Sequence, residues 1–510
     1  MPKNFEVHPS IGIARVGNSP SESEFFLGPE PGVAPPEKYR DSSGQYKRQA
    51  ARFRVFDCER DRKGKLLRAT EVDPTIARIT WTVHMVNRKG AAPRFTGTGN
   101  RNQATGDDSK DQNLIIDPGE KSVIGSNQGP VLLDAGKFMG VAVPLGSIRT
   151  DEAGRLIVLG GFGTSDSVPP QPNPSLPIQN FADSDGWHDD VSDGPVRAKV
   201  TLIKTGKVAE AKPAWVIVTP PDFAPDIQNL ITLYDAAYQV AVERGLRTVP
   251  RKPSFTGDIQ PILNRAVGYQ WVNKYNRRGH GGGTSGDFSV DWSQLADPAT
   301  SRPFAKNILA QMRNPNKPEP PAPVPHSVMP RLHDETNSTQ VLPLTKTQYA
   351  VLQKWADGNY INDLGQAPPP MLLPDALDRA ALEACAGGAF FPGIEAGRIM
   401  KKKESYSEAL RLDANKLKPG QITQGNALPW QADFYECRWE GQSFIGWWPA
   451  QRPDHIRPEA DPTKTKDWMR GIGSDLAMTR DWHHLGIVVR KAGPPEIFVE
   501  TERDPVFLPK

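Results

Sequence analysis

Residues 214–235 read AWVIVTPPDFAPDIQNLITLYD, and the change of period inside this stretch decides the fold class. Ala214-Trp215-Val216-Ile217-Val218 is a short apolar run stopped by Pro220-Pro221, which predicts a buried strand meeting a turn. From Pro225 to Glu243 the apolar residues Ile227, Leu230, Ile231, Tyr234, Ala237, Tyr238 and Ala241 recur at three- and four-residue steps, one face of a helix. Upstream of the switch the pattern is all strand. Arg78 to Val86 alternates apolar and polar side chains, as does Ala198 to Ile203, and Arg155 to Leu159 is an apolar run stopped by Gly160-Gly161. Short strands separated by polar turns predict a sandwich-like or barrel-like β region through about residue 220.

Downstream the helical period returns. Thr345 to Trp355 is a helix with Thr345 as N-cap and Tyr349, Leu352 and Trp355 on one face. A further helix opens at Pro374-Asp375, where the carboxylate complements the dipole, and closes at Gly387-Gly388. Leu377, Ala381, Leu382 and Cys385 share its apolar face, which puts Cys385 in the last turn. The stretch after it, AGGAFFPGIE (386–395), is a Gly-rich turn that lets another segment approach closely. Arg277 to Gly286 (RRGHGGGTSG) reads as a flexible loop and Asn314 to Val324 (NPNKPEPPAPV) as an extended one. The expected fold is α+β, a strand-rich, sandwich-like N-terminal region followed by a mixed helix/strand C-terminal catalytic region. Its expected divisions are 1–222, 223–370 and 371–510.

Composition removes several classes of function. The 510 residues carry a net charge of +3, which gives no electrostatic footprint for nucleic acid. No apolar run approaches the ~20 residues of a membrane span. The start, MPKNFEVHPS, lacks the apolar core of a secretory signal, so a cytoplasmic location is expected. Fifty prolines and 45 glycines imply many turns, still below the roughly 25–30% of low-complexity chains. Three cysteines, Cys58, Cys385 and Cys437, are too few and too odd in number for a disulfide framework. Six of the twelve tryptophans fall between 430 and 482: Trp430, Trp439, Trp447, Trp448, Trp468 and Trp482.

The common chemical motifs are missing. There is no GxGxxG after a strand, no GxxxxGK[ST], no HExxH, no CxxC and no GxSxG. The acidic stretch 183–194 (DSDGWHDDVSDG) does not match a calcium loop and reads as a polar turn with Asx bonds, so no metal is expected. Lys401-Lys402-Lys403 reads as a solvated charge run. The pair His483-His484 offers an acid or base; in a strand the two would point to opposite faces, so at most one would meet a site. Taken alone, Cys385 reads as a small buried side chain at a helix end.

The chain as a whole resembles the LodA-like family, the L-lysine 6-oxidases and glycine oxidases that carry cysteine tryptophylquinone. The matching blocks run in order: HPSIGIARVGNS (8–19), FFLGPE (25–30), RLIVLGGFG (155–163), DGWHDDVSDGP (185–195), the 214–235 stretch, PSFTGDIQPI (253–262), MPRL (329–332), LEACAGGAFFPGIE (382–395), PWQADF (429–434) and WWPAQRPD (447–454). The resemblance implies a thioether between Cys385 and a tryptophan in WWPAQRP, Trp447 or Trp448, with Trp448 preferred and Trp439 a third choice. Gly387 and Gly388 would let the two segments meet. It implies oxidative deamination of a primary amine or amino acid through a Schiff base, with O2 reduced to H2O2 and NH3 released. A flavoprotein maturation partner and a homo-oligomer are implied as well. Family members build the quinone with an acid about one turn before the cysteine. Ala381 stands there in this chain, and the choice falls on Asp378, on the same helix face but roughly 10 Å along the axis. Glu383 and Glu395 are further candidates. The alternatives to an oxidase are a quinoprotein dehydrogenase or peptide-modifying enzyme, and a catalytically inactive binding protein with a Trp-lined groove.

Overall fold

The computed structural model describes residues 4–62, 64–92, 100–317, 328–330, 332–333, 341–367, 369–387, 394–436, 449–493 and 496–507. Thirteen strands join in one sheet. Across it run Lys121–Ile124, Ala77–Val83, Ser192–Leu202, Ala214–Thr219, Ile11–Arg15, Gln49–Arg60, Leu156–Leu159, Ser147–Thr150 and Val131–Leu132. The alternation read at 78–86 is the strand Ala77–Val83, whose residues alternate between buried and more exposed. The continuous apolar run at 214 is a strand buried at every position, because both its faces are covered. Its neighbour Ile11–Arg15 lies parallel to it, in a register that places Arg15 opposite Thr219. The strand-rich N-terminal region is therefore present as read, and its sheet ends at Thr219.

Nine α-helices follow among the described residues: α1 (Leu233–Glu243), α2 (Gln260–Gly268), α3 (Lys274–His280), α4 (Trp292–Ala296), α5 (Pro298–Ala310), α6 (Lys346–Ala356), α7 (Leu373–Glu383), α8 (Trp430–Glu436) and α9 (Asp475–Asp481). They alternate with short two-stranded hairpins such as Ile487–Lys491 with Ile497–Thr501. None is long and apolar enough to cross a membrane.

Three readings need correction. The helical face from Pro225 starts as a helix only at Leu233. Thr232 and Asp235 form a capping box there, and the buried Ile227, Leu230 and Ile231 pack from an irregular segment before it. The Gly-rich stretch 277–286 is not a free loop. It is the end of α3 and a turn pinned by His280, whose Nδ1 lies 2.8 Å from Gly286 O and whose ring packs edge-on against Phe288. The helix before Cys385 ends at Glu383, so Cys385 sits just past its end rather than in the last turn.

The acidic stretch 183–194 serves the interior. Asp183 pairs with Arg101 at 2.7 Å and Asp189 with Lys89 at 2.5 Å. Asp193 accepts from Trp215 Nε1, Ile422 N and Thr423, which ties the strand region to a segment more than two hundred residues away. A core group shows the same tie: Ile11, Ile13, Trp215 and Ile217 of the sheet pack with Leu382, Cys385, Met400 and Leu412.

Candidate active site

The two parallel strands end together, and their last residues begin the site. Arg15 donates from Nη1 to Thr219 Oγ1 and Pro220 O, both at 3.0 Å, and from Nη2 to Ala384 O at 2.8 Å. The same guanidinium forms a short ion pair with Glu395 and stands 3.6 Å from Asp222. Arg15 is 2% exposed and Glu395 1%, so the pair lies in the low-dielectric interior, where each offsets part of the other's desolvation. Glu395 also accepts a short hydrogen bond from the backbone N–H of Ala386.

Cys385 lies inside this cluster, fully buried, with its thiol 3.8 Å from Ala386 O and against the Glu395 carboxylate. Burial pushes its pKa well above the usual thiol value; Glu395 adds to the rise and Arg15 opposes it. The group is a thiol, not a thiolate, at neutral pH. Asp222 is pushed up to about 7, mainly by burial, with Arg15 opposing and Glu395 adding. A buried carboxyl that titrates near neutrality can take or give a proton at its Oδ atoms.

Backbone pairing fixes the cysteine's place. Leu233 N donates to Cys385 O at 2.8 Å and Gly387 N to Ile231 O at 2.9 Å, so residues 385–387 run alongside the start of α1. A Cβ on Gly387 would stand 2.5 Å from Thr232 O, so only glycine fits this approach. The residues after the tryptophan pair come to the same place. Gln451 Nε2 donates to Ala384 O at 3.4 Å, and Asn229 holds both Ala450 N (3.0 Å) and Gln451 Oε1 (2.9 Å). Tyr269 Oη donates to Asn229 at 3.0 Å and completes the clamp.

Trp447, Trp448, Trp439, Cys437 and Gly388 lie outside the described residues. The described late tryptophans, Trp430, Trp468 and Trp482, are core rings packed around Phe223 and Phe434. Asp378 is buried elsewhere: it accepts from Ser10 N at 2.6 Å and pairs with His8 Nδ1 at 2.9 Å. Its carboxylate therefore docks α7 on the first two strands, and Glu395 and Asp222 are the carboxylates brought to Cys385. Glu383 turns to Arg379 (2.8 Å) and Arg265 (3.5 Å). His483 and His484 occupy a 3₁₀ turn, not a strand, with ring centroids 4.1 Å apart. His484 pairs with Asp504 at 2.8 Å, and His483 is pushed down to about 4 by burial and its cationic neighbours. The structure does not bring either histidine into the Cys385 cluster.

A cleft of about 1120 Å³ opens beside the cluster, lined by Glu383, Ala384, Arg265, Gln228 and Ile227. A cleft of mixed polar and apolar lining suits a small polar ligand. Sequence reading missed Arg15, Asp222, Asn229 and Gln451. All four stand in blocks quoted above, but no single-sequence signal links residue 15 to residue 395.

Known proteins match this arrangement over most of its length. The family model for the L-lysine epsilon oxidase N-terminal region matches residues 8–218, and that for the L-lysine epsilon oxidase C-terminal domain matches residues 327–459. The L-lysine 6-oxidase of Marinomonas mediterranea is 28% identical over 547 residues, covering 86% of this chain and 72% of that protein. The crystal structure of the L-Lys epsilon-oxidase from the same organism has the same fold, with a TM-score of 0.76 at 24% identity over 98% of this chain and 95% of the other. Equal values hold for the crystal structure of its Schiff base intermediate with L-Lys. The strand-rich region, the mixed region and these matches together define an enzyme of the amino-acid oxidase class. The chain belongs to the L-lysine epsilon oxidase, or LodA-like, family.

Proposed function

We propose that the protein oxidatively deaminates a primary amine or amino acid on a cysteine tryptophylquinone made from Cys385 and Trp448 or Trp447, reducing O2 to H2O2 and releasing NH3. One observation carries the reading: Gln451, three residues past Trp448, hydrogen-bonds to Ala384, the residue before Cys385. A buried thiol beside two carboxylates, with the chain returning to it directly after a tryptophan pair, fits the donor set such a bond requires. The quinone supplies an electrophilic carbonyl for an amine and a ring that accepts two electrons, a chemistry no ordinary side chain offers.

The chain's own residues then have definite tasks. Arg15 holds the Glu395 carboxyl group beside the thiol and fixes the Ala384 carbonyl. Asp222 is the group placed to carry a proton near neutral pH at Oδ2. Asn229 and Gln451 hold the tryptophan-bearing segment against residue 384. A flavoprotein partner for maturation, a homo-oligomeric active form and a cytoplasmic location belong to the same reading.

The test is chemical. Chain co-expressed with its maturation partner should give a redox-cycling quinone stain after denaturation, a cross-linked Cys385–tryptophan peptide by mass, and peroxide from an amine panel. Cys385→Ala should lose all three. A free Cys385 in fully active enzyme refutes the proposal, and amine oxidation without peroxide points to a dehydrogenase instead.

A further inference from the structure

Most buried arginines of this chain have a carboxylate. Arg15 has Glu395, Arg101 has Asp183, and Arg411 reaches Glu6 at 3.8 Å. Two half-buried arginines lining the cleft beside Cys385 have no such partner. Arg277 is held by Gln270 O at 3.2 Å and by Thr465 Oγ1, while its Nη2 is buried with no hydrogen-bond partner. Arg457 lies over the Trp271 ring with its guanidinium carbon 4.3 Å from the centroid. Among the described residues, neither guanidinium has a carboxylate within ion-pair distance.

Nor do the cleft's own acids serve them. Glu30 pairs with Arg52 and Arg54, and Glu383 with Arg379 and Arg265. Glu496 pairs with Arg490, Asp226 accepts from Arg490 N, and Asp287 accepts from Ser289. The two arginines instead repel each other, and burial together with the charge of Arg457 pushes the Arg277 pKa down. Two like charges lining one cleft, each partly withdrawn from water, cost free energy that an anion would return. Gly282 adds room, since a Cβ there would meet nothing within 4 Å. A guanidinium held over an indole is also pre-organised, which lowers the ordering cost of gripping a planar or tetrahedral oxyanion.

The pair also has a fixed place relative to the thiol. Arg265 of α2 bonds to Glu383, two residues before Cys385. Trp271, which carries Arg457, lies six residues further along α2 and the turn that follows, on the order of 10 Å at 1.5 Å per residue.

We propose that Arg277 and Arg457 form an anion subsite of the cleft, taking a carboxylate or phosphate on a ligand whose other end reaches the Cys385 cluster. As substrate recognition this rests on the oxidase reading: the preferred amine is anionic at its far end, and a neutral alkylamine of equal length is a poor substrate.

Two measurements keep the subsite and the oxidase reading separable. Binding of glutarate and of inorganic phosphate to the full chain, matured or not, is followed by calorimetry. At least one should bind wild type, weaken as salt rises from 0.05 to 0.5 M, and lose tenfold or more in Arg277→Gln and in Arg457→Gln with thermal midpoints near wild type. The tighter of the two anions identifies the group. No binding, salt-independent binding, or equal binding by the variants overturns the subsite. In matured enzyme, KM for 6-aminohexanoate should be at least tenfold below KM for hexylamine, and Arg457→Gln should erase that ratio with kcat within twofold. An unchanged ratio overturns its role in substrate choice. Anion binding without turnover of any amine keeps the subsite and removes the oxidase reading.

Discussion

Arg15 gathers residues 219–222, 384 and 395 around one guanidinium. Removing one partner of such a buried pair leaves a charge short of its counter-ion, so Glu395→Gln should lower stability by about 3–5 kcal/mol. It should also suppress the Cys385–tryptophan cross-link more than a shift of that size explains. Peptide mass spectrometry on soluble, folded variant checks this; a fully cross-linked Glu395→Gln chain would show that the carboxylate has no part in maturation. A second buried cluster sets a pH limit. Burial alone would push His8 down, but the charge and hydrogen bond of Asp378 overcome it and raise it to about 10. An unfolded histidine releases its proton near 6.5, so this stabilisation is complete below pH 6.5 and drains away as pH rises towards 10. Denaturant midpoints should fall across that window, and His8→Gln should flatten the fall. Neither cluster was legible in the sequence. Helix spacing put Asp378 with Cys385 because it ignores the competing partners His8 and Ser10 on another strand pair.

At the scale of elements, periodicity carried the reading well where one face is buried and one is wet. Ala77–Val83 and α6 both follow it, and Thr345 forms the capping box expected of an N-cap. It failed between Pro225 and Thr232, where burial without hydrogen-bonded helix imitates the helical spacing. It failed again at 277–286, where glycines were read as slack although His280 and Gly286 lock the turn. Beside the thiol, the glycine that needs to be glycine is Gly387. Gly387→Ala would drive a Cβ against the Thr232 carbonyl, so residues 385–387 must shift off α1. The expected result is a destabilised chain with little or no cross-link, read by thermal midpoint and peptide mass. Gly282→Ala meets open space and should be silent in both.

The whole molecule is less divisible than the sequence suggested. Composition and period split the chain at about 222, and the two family models match residues 8–218 and 327–459. Yet Arg411 donates to Val7 O and Pro213 O, Ser10 donates to Leu410 O, and Asp193 binds residues 422 and 423. Leu382 and Cys385 share a core with Ile13 and Trp215. A fragment of residues 327–510 made alone should therefore lack a cooperative thermal transition and be digested by protease within the time that leaves the full chain intact. A fragment that melts cooperatively would show that the region folds on its own.

The reach of Arg15 also orders events in time. The ribosome delivers residue 15 first and Gln451 hundreds of residues later, and the pocket around the thiol exists only when both are in place. Until then the cluster around Cys385 lacks the contact that ties the tryptophan-bearing segment to Ala384. Synthesis that stops short of residue 451, or a chain misfolded at either end, presents no assembled target for oxidation. A cofactor drawn from the chain itself, on this scaffold, would certify a finished polypeptide, because nascent and broken copies cannot acquire it.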